Sequence, residues 1–176
     1  MTDRPRAGKS SPAVYPQPAS TSSSMSPLIY QEALRAKEPK LVNVVIDTNV
    51  YLSGIIFGGT PGKVLELAKD KKIVVFTSPS ILLEVADKLN KKFHWNEEKV
   101  ETTLKAISKI TEVIEPNIKL KAVKEDSSDN KVLECAVTAN ANYVVTGDKH
   151  LLSLKEFEGT RIVTPSEFLR AIKSFK

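Results

Sequence analysis

Four carboxylates stand where apolar runs of this sequence end or helical stretches begin. Asp47 closes Val44-Val45-Ile46, and Glu84 lies in the helical stretch after a second apolar run. Asp129 follows the cap-forming pair Ser127-Ser128, and Asp148 follows Tyr143-Val144-Val145-Thr146-Gly147. Carboxylates held face to face repel one another, which raises their pKa values, and a bound divalent cation is the usual relief. A ligand set made of oxygen alone favours magnesium or manganese over zinc. Taken singly, each acid has a plainer role. Asp47 and Asp148 suit helix caps, because an Asp side chain accepts from the free amides of a first turn. Asp129 suits the positive end of its helix dipole. Glu84 precedes Lys88 by four residues, the favoured orientation for a solvated helical ion pair. Their joint placement is what points to a metal-binding edge.

That placement follows from the elements around them. Apolar, β-branched runs at 41–46, 73–77, 112–114, 143–146 and 160–163 read as strands, and amphipathic stretches fill the gaps. Helices are expected over 61–71, from the cap Ser78-Pro79 to Lys92, over 97–110 and from 126 to 140. Shorter ones open at Asp148 and Pro165. The alternation describes an α/β fold with a mostly parallel sheet of four to five strands. In such a sheet the carboxyl ends of the strands share one edge, where ligands bind near the point at which strand order reverses. The sequence between Gly58 and Gly62 lacks the Lys-Ser/Thr of a phosphate loop and reads as a turn before a helix.

Composition sets the limits. With 176 residues, 41% hydrophobic, the chain supports one ordinary core plus an appendage. Residues 1–40 form the appendage: up to about Pro27 they are Ser-, Pro- and Ala-rich and expected to be disordered, and a short helix follows before Lys40. The body is 41–176. Six of the 26 Lys/Arg and three of the 21 Asp/Glu fall in residues 1–40, so the body carries most of the charge but little net charge. That balance suits an acidic centre with basic flanks. One cysteine and two histidines exclude an internal disulfide and a typical structural zinc site. No apolar run reaches the roughly 18 residues of a membrane span and no secretory signal opens the chain, so a cytoplasmic protein is expected. An organelle transit peptide is the alternative use of the Arg-containing leader.

The segments 44–54 (VVIDTNVYLSG), 80–84 (SILLE), 126–136 (DSSDNKVLECA) and 143–151 (YVVTGDKHL) resemble, in order, the motifs of the PIN-domain family. The likeness is greatest to PIN-type toxin components of prokaryotic toxin-antitoxin pairs and covers about 41–170. It implies a compact α/β/α sandwich in which Asp47, Glu84, Asp129 and Asp148 hold one or two Mg2+ or Mn2+ ions. Asn49 and Thr146 match supporting polar positions, and Asp126 is either a further acid of the site or the cap of its helix. The leader of about 40 residues is a departure from the family pattern.

The activity this resemblance implies is metal-dependent endoribonuclease cleavage, in which carboxylates hold the ions that activate water for in-line attack on phosphorus. RNA is the substrate implied, with Lys91, Lys92, Trp95 and Lys149 as weak candidates for contacting it. Phe93 and Trp95 serve better to close a helix against the core than to stack on a base. A small antitoxin is the implied partner and a homodimer the implied assembly. Three other readings compete: a catalytically silent PIN-like interaction module, an RNA-processing nuclease outside toxin-antitoxin biology, and an aspartyl phosphatase or receiver. The last is disfavoured by Asn49, which stands where a second Asp is needed, and by the absence of adjacent acids.

Overall fold

The computed structural model describes residues 26–37, 40–121 and 127–174. The chain divides into two units at Pro39. The first contributes one helix, α1 (Pro27–Lys37), whose Leu28, Ile29 and Leu34 are exposed. The disorder expected before Pro27 and the role expected of Asp126 fall on residues outside the described ones.

The second unit runs β1 (Asn43–Ile46), α2 (Thr48–Ile56), α3 (Gly59–Lys69), β2 (Val74–Thr77), α4 (Pro79–Lys91), α5 (Glu97–Ile110) and β3 (Glu112–Val113). It continues with α6 (Ser127–Thr138), β4 (Tyr143–Val145), α7 (Lys149–Leu154), β5 (Glu156–Phe157), β6 (Thr160–Val163) and α8 (Pro165–Lys173). The strands form one sheet in the order β3-β2-β1-β4-β6-β5, parallel throughout except for β5 against β6. Val44, Val45 and Ile46 of β1 and all of β4 are buried, as strands covered on both faces must be. This is the expected α/β sandwich.

The sheet has six strands rather than four to five. The extra one, β5, is two residues long and returns to β6 through Glu158 and Gly159, at φ 47° and 79°. Such a pair of left-handed residues makes a tight hairpin turn. Helix α3 also begins earlier than expected, at Gly59, with Gly58 at φ 70° before it. Gly54 lets α2 lie close on α3, since a Cβ there would come within 2.7 Å of Leu65 Cδ1 and 3.1 Å of the Pro61 backbone.

Helix starts follow their caps. The Ser78 hydroxyl accepts from the Ile81 amide at 3.3 Å with Pro79 in the first turn, and Asn96 Oδ1 accepts from the Lys99 amide at 2.9 Å. Thr164 and Glu167 form a reciprocal capping box at α8. Among the described residues no helix is long and apolar enough to cross a membrane.

Candidate metal centre

Strand β1 is hydrogen-bonded to β2 on one side and to β4 on the other, so the chain leaves the centre of the sheet in opposite directions at that point. Asp47 sits there, directly after β1, with its amide donating to the Val145 carbonyl at 3.0 Å. It is 6% exposed. Although it is the first non-helical residue before α2, its side chain makes no cap hydrogen bond. The Thr48 amide leans on the carboxylate without cap-bond geometry. Instead, Oδ2 accepts from the Thr146 hydroxyl at 2.8 Å, and that hydroxyl oxygen in turn accepts from the Asp148 amide at 3.0 Å. Thr146 is fully buried, so this relay fixes the Asp47 carboxylate against the loop leaving β4.

Burial is the largest influence on Asp47 and pushes its carboxyl above the usual value, with the nearby Glu84 charge acting the same way. The Thr146 hydroxyl, Lys88 and the Thr48 amide oppose that shift without cancelling it. Replacing Thr146 by valine keeps the volume while leaving a buried carboxylate and a backbone amide without this partner. Metal-free Thr146→Val is expected to lose about 1–3 kcal/mol in urea unfolding. A loss below about 0.5 kcal/mol, the scatter of neutral surface changes, would show that the relay is dispensable.

Glu84 lies on α4 with its side chain 17% exposed, and Oε1 pairs with Lys88 Nζ at 2.8 Å. The pair expected from sequence forms, but it is not a free surface pair: the same ammonium donates to Asn49 Oδ1 on α2 at 3.2 Å. Asp129, 4% exposed, stands in the first turn of α6, a helix packed on β1, β2, β4 and α4. Asp148 takes the cap role, its Oδ1 accepting from the His150 and Leu151 amides at 2.8 and 3.3 Å. The structure thus joins Asp47, Thr146 and Asp148 by hydrogen bonds, and Asn49 and Glu84 through Lys88. Among the described residues no three acids are gathered tightly enough to enclose an ion as they stand.

The donor set nevertheless fits a divalent cation. Its oxygens are carboxylate and amide oxygens, one carboxylate is buried at a cost, and a positively charged group, the Lys88 ammonium, is already seated among them. Asp47 and Glu84 could hold such an ion, with Asn49 tied to Glu84 through Lys88. Cys135 is not a competing nucleophile: it is buried, and burial pushes its thiol up to about 12.

The RNA candidates are spread over the surface of α4 and beyond. Lys91 pairs with Asp87 at 2.6 Å, Lys92 lies 5.8 Å from the Phe93 ring centroid, and Lys149 is exposed at the start of α7. Trp95 packs against the core and carries the Lys99 ammonium 3.6 Å from its ring centroid. A cleft of about 300 Å³ opens at the other edge, by the start of β2, lined by Leu41, Ile73, Ile110 and Lys109 among others. Depth therefore does not locate the acids; buried charge does. Two features escaped the sequence reading. The Lys88–Asn49 bridge joins residues 39 apart. Glu134, a 6% exposed acid inside an apolar helical stretch, accepts from the Leu120 amide at 2.8 Å, and its place among Val132, Leu133 and Cys135 was a usable signal.

A parallel sheet with a buried aspartate at its switch point and acids at the starts of following helices describes an acid-edged α/β domain. The chain belongs to the PIN domain family, whose profile matches residues 43–150 and whose members are typically nucleases. Among its relatives, the uncharacterized protein MJ1680 of Methanocaldococcus jannaschii is 36% identical over 147 residues, spanning 76% of this chain and 94% of that one. The fold is shared with VapBC2 from Rickettsia felis, solved bound to a DNA fragment from its promoter, at TM-score 0.52 and 18% identity over 69% of this chain and 97% of that one. PAE2754 from Pyrobaculum aerophilum shares it at TM-score 0.52 and 13% identity over 76% and 90%.

Proposed function

We propose that this chain is a divalent-metal-dependent endoribonuclease and the toxin of a toxin-antitoxin pair. The observation that carries the reading is Asp47: a buried carboxylate at the switch point, destabilised by burial and by Glu84, and braced by Thr146 rather than spent on capping α2. Membership of the PIN family supports nuclease chemistry. When bound, Mg2+ or Mn2+ supplies the Lewis acidity that activates water and neutralises charge on the phosphoryl oxygens. Asp47, Glu84 and Asp129 hold the ion, Asn49 steadies the Glu84 side of the site, and Thr146 keeps the Asp47 carboxylate aimed. Asp148 orders the loop after β4 and completes the acidic edge.

The toxin assignment is supported by the motif resemblance and by the fold shared with VapBC2, whose complex includes promoter DNA. It carries with it a cytoplasmic location, a small antitoxin that covers the acidic edge, and a homodimer. The test uses the full chain and Asp47→Asn with labelled single-stranded RNA and matching DNA in EDTA, Mg2+ or Mn2+. Cleavage of RNA alone, only with metal and only by the wild type, is expected. A folded wild type that cuts neither polymer under any ion would transfer the reading to a silent interaction module.

A further inference from the structure

Lys88 is the one residue of the acidic edge that ligand-holding does not explain. Its ammonium lies 2.8 Å from Glu84 Oε1 and 3.2 Å from Asn49 Oδ1, and its charge reaches the buried Asp47 carboxylate. A simple i,i+4 pair satisfies only its own helix; this one reaches from α4 to α2, across the two elements that flank Asp47. One of the oxygens it engages, Glu84 Oε1, belongs to an acid assigned to the ion, and the other, Asn49 Oδ1, lies on the same side of the site. An ammonium and a divalent cation held on these oxygens repel each other at close range, so each weakens the binding of the other. The side chain is also built to leave: it is 33% exposed, and its flexible stem lets the charged head turn out to water while α4 stays in place.

We propose that Lys88 is a built-in counter-cation, occupying the Glu84–Asn49 side of the site in the metal-free protein and competing directly with the divalent ion that binds there. This rests on the reading that the acidic edge holds metal. It makes Lys88 the residue that sets metal affinity: the site is kept neutral enough to fold without metal, and it binds the ion only when concentration is high enough to displace the ammonium.

Titration of the full chain with Mn2+, followed by heat of binding and by the paramagnetic signal of the free ion, tests this without any activity readout. Lys88→Met should bind Mn2+ roughly tenfold more tightly than wild type, by analogy with the one-to-three-decade effect of a close charge on a carboxylate's proton affinity. Lys88→Arg, which keeps the charge, should stay near wild type. Lys91→Met removes the same charge from the same helix at a position paired with Asp87, and should also stay near wild type. Equal or weaker Mn2+ binding by folded Lys88→Met, or an equal gain in Lys91→Met, overturns the competition while the metal site stands. If wild type and Lys88→Met both fail to bind, or if Asp47→Asn binds as well as wild type, the metal reading itself fails and the proposal falls with it.

Discussion

Asp47→Asn is expected to reduce metal-dependent RNA cleavage by about 10²–10³-fold or more, the usual cost of removing one preorganised charged group from a site, while making the metal-free protein more stable at pH 7. The two effects have one cause. The carboxylate is held where its charge is poorly solvated, and its carboxyl is raised above 3.8 in the folded state. Below pH 3.8 folded and unfolded chains both carry the proton, and the aspartate costs nothing relative to asparagine. As pH rises through 3.8 toward the folded value, the unfolded chain releases its proton first, and wild-type stability falls. Above the folded value the penalty is constant. Asparagine carries no such penalty and still accepts from Thr146 through its amide oxygen. In EDTA the melting-temperature difference should therefore be near zero at low pH, open as pH rises past 3.8, and level off. Each kcal/mol corresponds to about 2–4 °C for a chain of this size. Calorimetry across pH decides the matter: a mutant less stable than wild type at pH 7, or a difference independent of pH, would show that Asp47 is not held under strain. Adding Mn2+ should reverse the order by raising the wild type alone.

The edge on which Asp47 lies was legible in the sequence because its signals are local. Val44-Val45-Ile46 and Tyr143-Val144-Val145 are β-branched and aromatic runs that sit in the sheet interior, and each ends on a polar residue that the parallel topology carries to the same edge. Ser78-Pro79 and Pro165 announced their helices through signals that need only neighbouring residues. The division of labour among the acids was less legible. Asp47 and Asp148 offer the same local pattern, a strand end followed by a helix, yet only Asp148 caps. The difference is Thr146, whose hydroxyl reaches Asp47 across 99 residues of sequence and takes Oδ2 for itself. Lys88 shows the same limit. Its pairing with Glu84 is a spacing rule, but its bond to Asn49 exists only because α2 and α4 pack together. The β5 hairpin turns on Glu158-Gly159, which lacks the Asn-Gly or Asp-Gly signature, so a strand of two residues had nothing to mark it.

Phe168→Ala is expected to be the most destabilising single change outside the site, although residue 168 lies beyond the stretch 43–150 that matches the family. The ring is fully buried and meets Tyr143 of β4 edge-on, with centroids 5.4 Å apart and planes at 68°. Tyr143 pairs in register with Val44 of β1 and with Arg161 of β6, so the cavity left by alanine would open beneath β4, the strand that leads into Thr146. Phe168 is the one fully buried residue of helix α8; Leu169, Ala171 and Ile172 pack only partly buried against the core, and the capping box at Thr164 and Glu167 orders the helix start. Large-to-small aromatic changes of this kind cost about 3–5 kcal/mol, which corresponds to about 6–20 °C in melting temperature. The loss should appear equally with and without Mn2+, since Phe168 packs on Tyr143 and is none of the residues assigned to the ion, whereas the Asp47→Asn and Lys88→Met effects depend on the ion. Thermal scans of the full chain would separate the two kinds of change. A Phe168→Ala protein that melts within about 2 °C of wild type would mean that α8 is a dispensable cover; the expected drop would make β6 and α8 part of the unit that has to fold before Asp47 can be held in place.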